Sequence, residues 1–589
     1  MCGIIGYNGN KPKAIEVLIT GLKNLEYRGY DSAGIAYIHD NRLNVIKKTG
    51  PIANLEKDVD KSVESFCGIG HTRWATHGAP SIANSHPHTV DKVTIIHNGI
   101  IENYLNIKKE LIENGYSFQS ETDSEVACAL LDHLYKNNSN ILKAIEKFKE
   151  RVKGSYAILA IFENREEIYA IKNMSPLIVG LDENECYLAS DIHAILDYTN
   201  TYFRLDDGDF AKIGKGDYIL FDKNGNEKKP QIHKSSEKSN NSSQANFSHF
   251  MLKEIYEEPK IAKHLIKKYI SKEKIRDLPD ISKYDNVTIV ACGSAMYAGL
   301  VGKFLIEKNL HIKVDVELAS EFRYKNLFLN EKSLVIAISQ SGETADTLAA
   351  VKIAKSLKAH TIGIVNVEES SIAKEVDEVI YTEAGQEIAV ATTKAYFAQV
   401  LILAFLSLKK YKTNKEQLSN IPIIIENLIT NDKLYDRIAG EIYKIDNIFF
   451  IGRQIDYAIC MEGSLKLKEI SYIHSEPYAA GELKHGSISL VSDNTPIFAV
   501  ITDKKISEKT ISNIKEVKAR GAHVILLINE DLDFEGDYYD DKIIIPKSDE
   551  IFKSILPIIP LQLIAYKIAL LRGCSIDKPR NLAKSVTVE

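Results

Sequence analysis

Met1-Cys2-Gly3-Ile4-Ile5-Gly6 opens the chain with a thiol at its second position. The small side chain there favours removal of the initiator methionine, after which Cys2 carries a thiol and a free α-amine on one residue. Such an amine titrates at about 7.7 to 8.0, so near neutral pH it takes the thiol proton directly or through a water, and no partner histidine is needed. With Met1 retained, that base is blocked. A cysteine at position two is common enough by accident, so its meaning depends on the chain that follows.

From Cys2 to about Asn224 the strands are short, alternating and punctuated by Gly and Asp, as in 34–38, 155–161 and 210–213. They predict antiparallel sheet with a few helices packed on it. Helical periodicity covers Lys13 to Leu25 and Ser124 to Tyr135, the latter capped by Thr122, Asp123 and Ser124. Five polar stretches read as functional loops: Glu26 to Ser32, Gly70 to Gly78, Ser85 to His88, His97 to Ile100 and Gly115 to Asp123. A thiolate attacking a side-chain amide needs two donors where the oxyanion forms, which the Asn98 amide and the Gly99 N–H can supply. Free glutamine presents an α-carboxylate and an α-ammonium, and Arg73 and Asp123 match these in charge. Each residue also has a plainer reading: Asn-Gly as a hairpin turn, Asp123 as a helix cap, Arg73 as a surface ion pair. The five histidines from His71 to His97 fit no zinc-ligand spacing, and no metal is expected.

Taken together, Cys2-Gly3-Ile4, Tyr27-Arg28-Gly29-Tyr30-Asp31-Ser32, His71 to Gly78, His97 to Asn103 and Glu121-Thr122-Asp123 resemble the glutaminase domain of the N-terminal-nucleophile amidotransferases. The resemblance implies a four-layer αββα fold with Cys2 as nucleophile and Asn98 with Gly99 as the oxyanion hole. It further implies glutamine held by Arg73, Thr76, His77 and Asp123, Trp74 as a gate on the released ammonia, and Arg28 near the nucleophile.

At 589 residues the chain has room for three or four domains. Its 74 Lys+Arg and 80 Asp+Glu are interspersed, with a net charge of -6, so nucleic acid is not an expected partner. Apolar runs of four to eight and the lack of a basic-then-apolar leader point to a cytoplasmic enzyme without a membrane span. The seven scattered cysteines contain no CxxC pair and are expected to be reduced. Residues 225–248, rich in Lys, Ser, Asn and Gln, read as a flexible linker after the glutaminase domain, 1–224. Helical patterning resumes at His249 and runs, interrupted by Pro259, to about Ile270.

Beyond the linker, apolar runs alternate with helical segments, as in a parallel sheet covered on both faces. Asn286 to Gly293 has a counterpart in Asn447 to Arg453, and Thr361 to Asn366 in Ala522 to Asn529, so two α/β units of one design are expected, 249–430 and 431–575. In the first, Ser339-Gln340-Ser341-Gly342-Glu343-Thr344 joins a strand to a helix and gathers hydroxyls and fresh N–H groups suited to a phosphate dianion, or serves only as a helix cap. In the second, Glu462, Lys466 and Glu469 share a helix face, as an ion-paired solvated face also would, and Tyr478 to Gly486 reads as a loop. The last segment, 576–589, reads as a docked tail.

These motifs resemble the isomerase half of the glutamine:fructose-6-phosphate aminotransferases, with paired sugar-isomerase (SIS) domains. By that resemblance Ser339, Gln340, Ser341, Thr344 and Ser294 bind the sugar phosphate, and Val390, Ala391 and Thr392 line the sugar. Lys584 forms a Schiff base with the ketone, Glu469 moves a proton between C1 and C2 with Lys466 beside it, and His485 assists ring opening from the neighbouring subunit of a homodimer. Ala295 stands where the family has a second hydroxyl near the phosphate. The implied reaction makes glucosamine 6-phosphate and glutamate from fructose 6-phosphate and glutamine, with internal ammonia transfer and no cofactor, as the first step toward amino sugars. A phosphosugar sensor is the rival, which Glu469 and Lys584 together disfavour. A phosphoribosyl amidotransferase would need a pyrophosphate loop that is not found.

Overall fold

The computed structural model describes residues 2–75, 78–235, 246–271, 274–408, 415–532, 534, 536–549 and 551–587. Two compact units result, Met1–Ser243 with Ser585–Glu589, and Gln244–Lys584.

In the first unit two antiparallel sheets lie face to face. Eight strands run in the order 233–234, 201–204, 178–182, 185–189, 3–9, 67–73, 32–39, 42–49, and six in the order 218–221, 210–213, 168–173, 154–162, 93–101, 88–90. Alternation along each strand sends one set of side chains into the space between the sheets, where Ile4, Ile69, Ile96, Leu159, Val179, Leu188 and Phe203 form a dry layer. The opposite faces pack on helices: Ala14–Asn24 on the larger sheet, Asp123–Asn138 and Ile141–Arg151 on the smaller. The four layers are helix, sheet, sheet, helix.

Two expectations change here. Gly70 to Arg73 and His97 to Ile100 are not loops; they lie inside the strands Cys67–Arg73 and Val93–Ile101. Asn98 and Gly99 pair in register with Ala157 and Tyr156, so long-range pairing overrides the turn preference of Asn-Gly. The expected linker also starts later than 225, because His233 and Lys234 add a strand against Tyr202 and Thr201, and Glu227 bridges to Phe221. Residues 236–245 of that linker lie outside the described residues.

The second unit opens with one helix, Phe250–Tyr269, which continues through Pro259 rather than breaking there. Two five-stranded parallel sheets follow, ordered 313–318, 286–291, 333–339, 360–365, 378–381 and 474–479, 447–452, 496–501, 523–529, 541–545. Numbered along the chain, both read second-first-third-fourth-fifth. The neighbours of the first strand therefore diverge at its carboxyl end, where such sheets bind ligands. His474–Ala479, read in part as a loop, is an edge strand that pairs only with Asn447–Gly452, and an edge tolerates Pro477. The helix Lys394–Ser407 is buried on every side, as its apolar composition requires, and joins helices of both halves in one core.

Candidate active site

Cys2 directly precedes the central strand Gly3–Gly9, which is pinned on both sides. The Gly3 N–H donates to Thr72 Oγ1 at 3.1 Å and the Ile4 N–H to Ser190 Oγ at 3.0 Å. The Trp74 N–H donates to Cys2 Sγ at 3.3 Å. Burial raises the Cys2 thiol, while that hydrogen bond and the charge of Arg73 work against the rise. A base is therefore needed to make the thiolate.

Asn98 is oriented by His71. His71 Nε2 lies 3.0 Å from the His97 carbonyl, which only accepts, so Nε2 carries the proton and also donates to Asn98 Oδ1 at 3.1 Å. The Asn98 amide is thereby turned to Cys2, whose carbonyl it meets at 2.9 Å. Burial lowers His71 to about 3, which keeps the ring neutral and this orientation fixed. Gly99 has φ of 130°, and a Cβ there would lie 2.0 Å from the Ser155 carbonyl.

Arg28 is buried, its Nη2 at 2.5 Å from Asp191 Oδ2 and its Nε donating to Tyr27 OH at 3.2 Å. Asp191 follows Ser190, so Arg28 braces the corner that holds the strand behind Cys2. Arg73, also buried, donates to the carbonyls of Gly78 and Ala79 at 2.9 and 3.5 Å. Asp123 accepts the Ile101 N–H at 2.8 Å, and the helix cap proper is Thr122, which accepts from Glu125 N at 3.2 Å. Trp74 is half-buried beside Cys2, whereas Thr76 and His77 lie outside the described residues.

In the second unit, Ser339 ends the third strand of its sheet, next to the first strand, which leads into Cys292-Gly293-Ser294. Ser339 Oγ meets Thr344 Oγ1 at 2.9 Å and accepts the Gly342 N–H at 3.0 Å, while Ser341 Oγ accepts the Glu343 N–H at 3.2 Å. This curls Gln340 to Thr344 into a cup at the head of the helix Ala345–Ser356. Gly342, at φ 65°, has no room for a Cβ, which would meet Ser370 Oγ at 2.0 Å. Ser294 donates to Glu462 Oε1 at 3.0 Å, so its hydroxyl is turned to the acid-base cluster. In the second sheet the matching edge is closed by Asp456, which accepts from the Thr502 N–H at 3.0 Å.

Lys466 is fully buried, 3.4 Å from Glu462 and 2.6 Å from Glu469. Burial raises Glu462 to about 7, with Lys466 pulling it back. The Glu469 side chain is 19% exposed, and Glu462 is the fully buried carboxyl of the cluster. Lys584 Nζ contacts Glu387, a residue the sequence did not single out, and donates to the Ala389 carbonyl at 2.8 Å. Val390 and Ala391 are buried in the same loop, and the Thr392 hydroxyl donates to Glu387 at 2.6 Å. His485 is exposed on the turn Glu482–His485.

Residues 72–197 match the glutamine amidotransferase domain, and 280–409 and 441–572 the SIS domain. The glutamine–fructose-6-phosphate aminotransferase (isomerizing) of Clostridium tetani is 46% identical over 616 residues, covering all of both chains, and that of Methanosarcina mazei 41% over 620, again end to end. The chain belongs to the isomerizing glutamine–fructose-6-phosphate aminotransferase family. Among solved structures, the C-terminal domain of a glucosamine-fructose-6-phosphate aminotransferase from Francisella tularensis matches 57% of this chain and all of its own, at 36% identity and a TM-score of 0.53. For a member of this aminotransferase family, Gly99→Ala is expected to lower glutamine hydrolysis by about a hundredfold, because the strand that carries Asn98 must shift. Glutamate release by the full chain measures this.

Proposed function

We propose that the chain transfers the amide nitrogen of glutamine to fructose 6-phosphate, giving glucosamine 6-phosphate and glutamate. Once Met1 is removed, the Cys2 amine takes the thiol proton. The thiolate attacks the glutamine amide, and the oxyanion is held by Asn98 and Gly99 N–H groups. Ammonia leaves, and water releases glutamate from the thioester. Arg73, Thr76, His77 and Asp123 hold glutamine, with Arg28 bracing the site and Trp74 gating the ammonia.

At the sugar site, Ser339, Gln340, Ser341 and Thr344 bind the phosphate and Val390 to Thr392 line the sugar. Ser294 joins them through Glu462. Lys584 forms an imine with the ketone, ammonia displaces it, and Glu469 with Lys466 moves a proton from C1 to C2. Passage of ammonia within the chain avoids its protonation in water. His485 is exposed in its own unit, in keeping with a role in a partner's site. A homodimer of twice 66.0 kDa is therefore expected by sedimentation.

One observation carries the reading: a chain matched end to end by this family has donors turned onto Cys2 and, in its other unit, Lys584 against a buried carboxylate. Turnover with amide-15N glutamine, fructose 6-phosphate and unlabelled ammonium tests it. Equal yields of glutamate and labelled amino sugar phosphate are expected, both abolished in Cys2→Ala. Sugar-phosphate binding with no amino sugar formed would leave the sensor instead. Among the described residues no helix is long and apolar enough to cross a membrane.

A further inference from the structure

Glu387 lies in the loop between the last strand of the first parallel sheet and the buried helix Lys394–Ser407, and its side chain is fully buried. Four donors converge on it: Thr392 Oγ1 at 2.6 Å, the N–H groups of Thr393 and Ala395 at 3.0 Å each, and Lys584 Nζ. Two of them come from its own loop and one from the first turn of the helix that follows, so the carboxylate is fixed whether or not Lys584 is present.

A second carboxyl stands behind it. Glu254, from the helix Phe250–Tyr269, accepts the N–H groups of Ile388 and Ala389 at 2.5 and 3.2 Å, and the Ala389 carbonyl in turn accepts Lys584. Burial and the charge of Glu387 raise Glu254 to about 8, whereas Lys584 and the loop donors hold Glu387 at about 2 against its burial. One carboxyl of the two is ionised, and it is the one in contact with the amine. Of the other titratable groups nearby, Glu258 on the same helix is pushed well above the ordinary carboxyl range by burial and by the charge of Glu387, while Lys394 pairs with Glu257 at 2.6 Å, and Lys466 with Glu462 and Glu469. The tail that carries Lys584 is tied to the same frame, because Asp577 accepts the N–H groups of Phe250 and Met251 at 2.9 Å each and its carbonyl accepts Val390 N–H at 3.0 Å.

We propose that Glu387 is a positioning residue for imine formation, a buried carboxylate that aims the Lys584 amine and balances its positive charge from ammonium to iminium. This rests on the reading of Lys584 as the imine-forming amine. The step converts Lys584 ammonium and a ketone into a protonated imine and water. The carbon–oxygen double bond breaks, a carbon–nitrogen double bond forms, two of the three ammonium protons leave with the oxygen, and the third stays on nitrogen. One positive charge is present before and after, so a single fixed anion serves both ends of the step. Among the described residues the hydrogen-bond partners of Glu387 are Lys584, its own loop and the first turn of the following helix, and it acts on the sugar through that amine.

The test uses the full chain with fructose 6-phosphate and sodium borohydride, without glutamine, following the reduced adduct on Lys584 by peptide mass. Glu387→Gln is expected to slow adduct formation about a hundredfold and Glu387→Asp about tenfold, with the sugar-phosphate concentration for half-saturation within about threefold of wild type. Thermal melting and glutamine hydrolysis establish that each variant is folded, and either folded variant suffices. Adduct formation at the wild-type rate in a folded variant would overturn the inference and leave Lys584 as the amine. Failure of the wild type itself to form an adduct on Lys584 would overturn the reading beneath it.

Discussion

Lys466→Met is expected to destabilise the second unit by about 3 to 5 kcal/mol at pH 8 and to lower amino-sugar synthesis by about a hundredfold or more. The cation removed is fully buried between two carboxylates, and methionine matches its length without its charge. Taking one partner from a buried ion cluster costs far more than the pair contributes, because the other charges stay behind without water. The loss depends on pH in a set direction. Glu462 already stands at about 7, above the ordinary carboxyl range, so it contributes stability that is complete below about 4.3 and is lost as pH rises through 7. Without Lys466 the attraction that lowers Glu462 disappears and its titration moves higher still. The gap between wild type and variant therefore widens from pH 5 to pH 8. Chemical denaturation of both proteins at the two pH values measures it, and a gap independent of pH would mean that Glu462 is not the group left stranded.

Much of this arrangement could be read from the chain, but unevenly. The repeat was legible because parallel strands covered on both faces leave continuous apolar runs, and the same two runs occur twice. Cys2 stands out in the sequence because a thiol and a free α-amine on one residue need no second residue to suggest a nucleophile with its own base. Asn98-Gly99 reads in the sequence as a loop and is a strand in the structure. Its dipeptide favours a turn, and only pairing with a strand more than fifty residues away, Gly154–Phe162, makes it part of a sheet. Glu387 left no local trace at all. Its meaning comes from Lys584, 197 residues further along the chain, and no spacing rule connects the two. His71 lies within a sequence motif, but its contact with the Asn98 amide runs between two strands and is supplied by topology rather than by spacing.

The histidines of the first unit lead to a different kind of result. His71, His86 and His88 are each at most 4% exposed, and their rings pack in a row, tilted for His71 and His86 with centroids 4.0 Å apart and edge-to-face for His86 and His88 at 4.8 Å. Burial, reinforced by the neighbouring rings and Arg73 or Lys47, drives all three below the ordinary histidine range. The unfolded chain binds protons at these positions from about pH 6.5 downward and the folded chain does not, so stability is full above about 6.5 and falls with decreasing pH. Each contributes at most about 1.4 kcal/mol per pH unit, and because the unfolded imidazoles are half protonated at the top of the window, together about 3 kcal/mol between pH 6.5 and 5.5. Trp74, the sole tryptophan, lies in this unit and reports its unfolding in urea. Among the described residues neither nitrogen of His86 has a hydrogen-bond partner, so His86→Phe removes a titrating group without stranding another polar atom among them. The variant is expected to lose about a third of the slope of stability against pH, with the first unit less sensitive to acid than in the wild type. An unchanged slope would mean that the acid lability resides in groups other than this row.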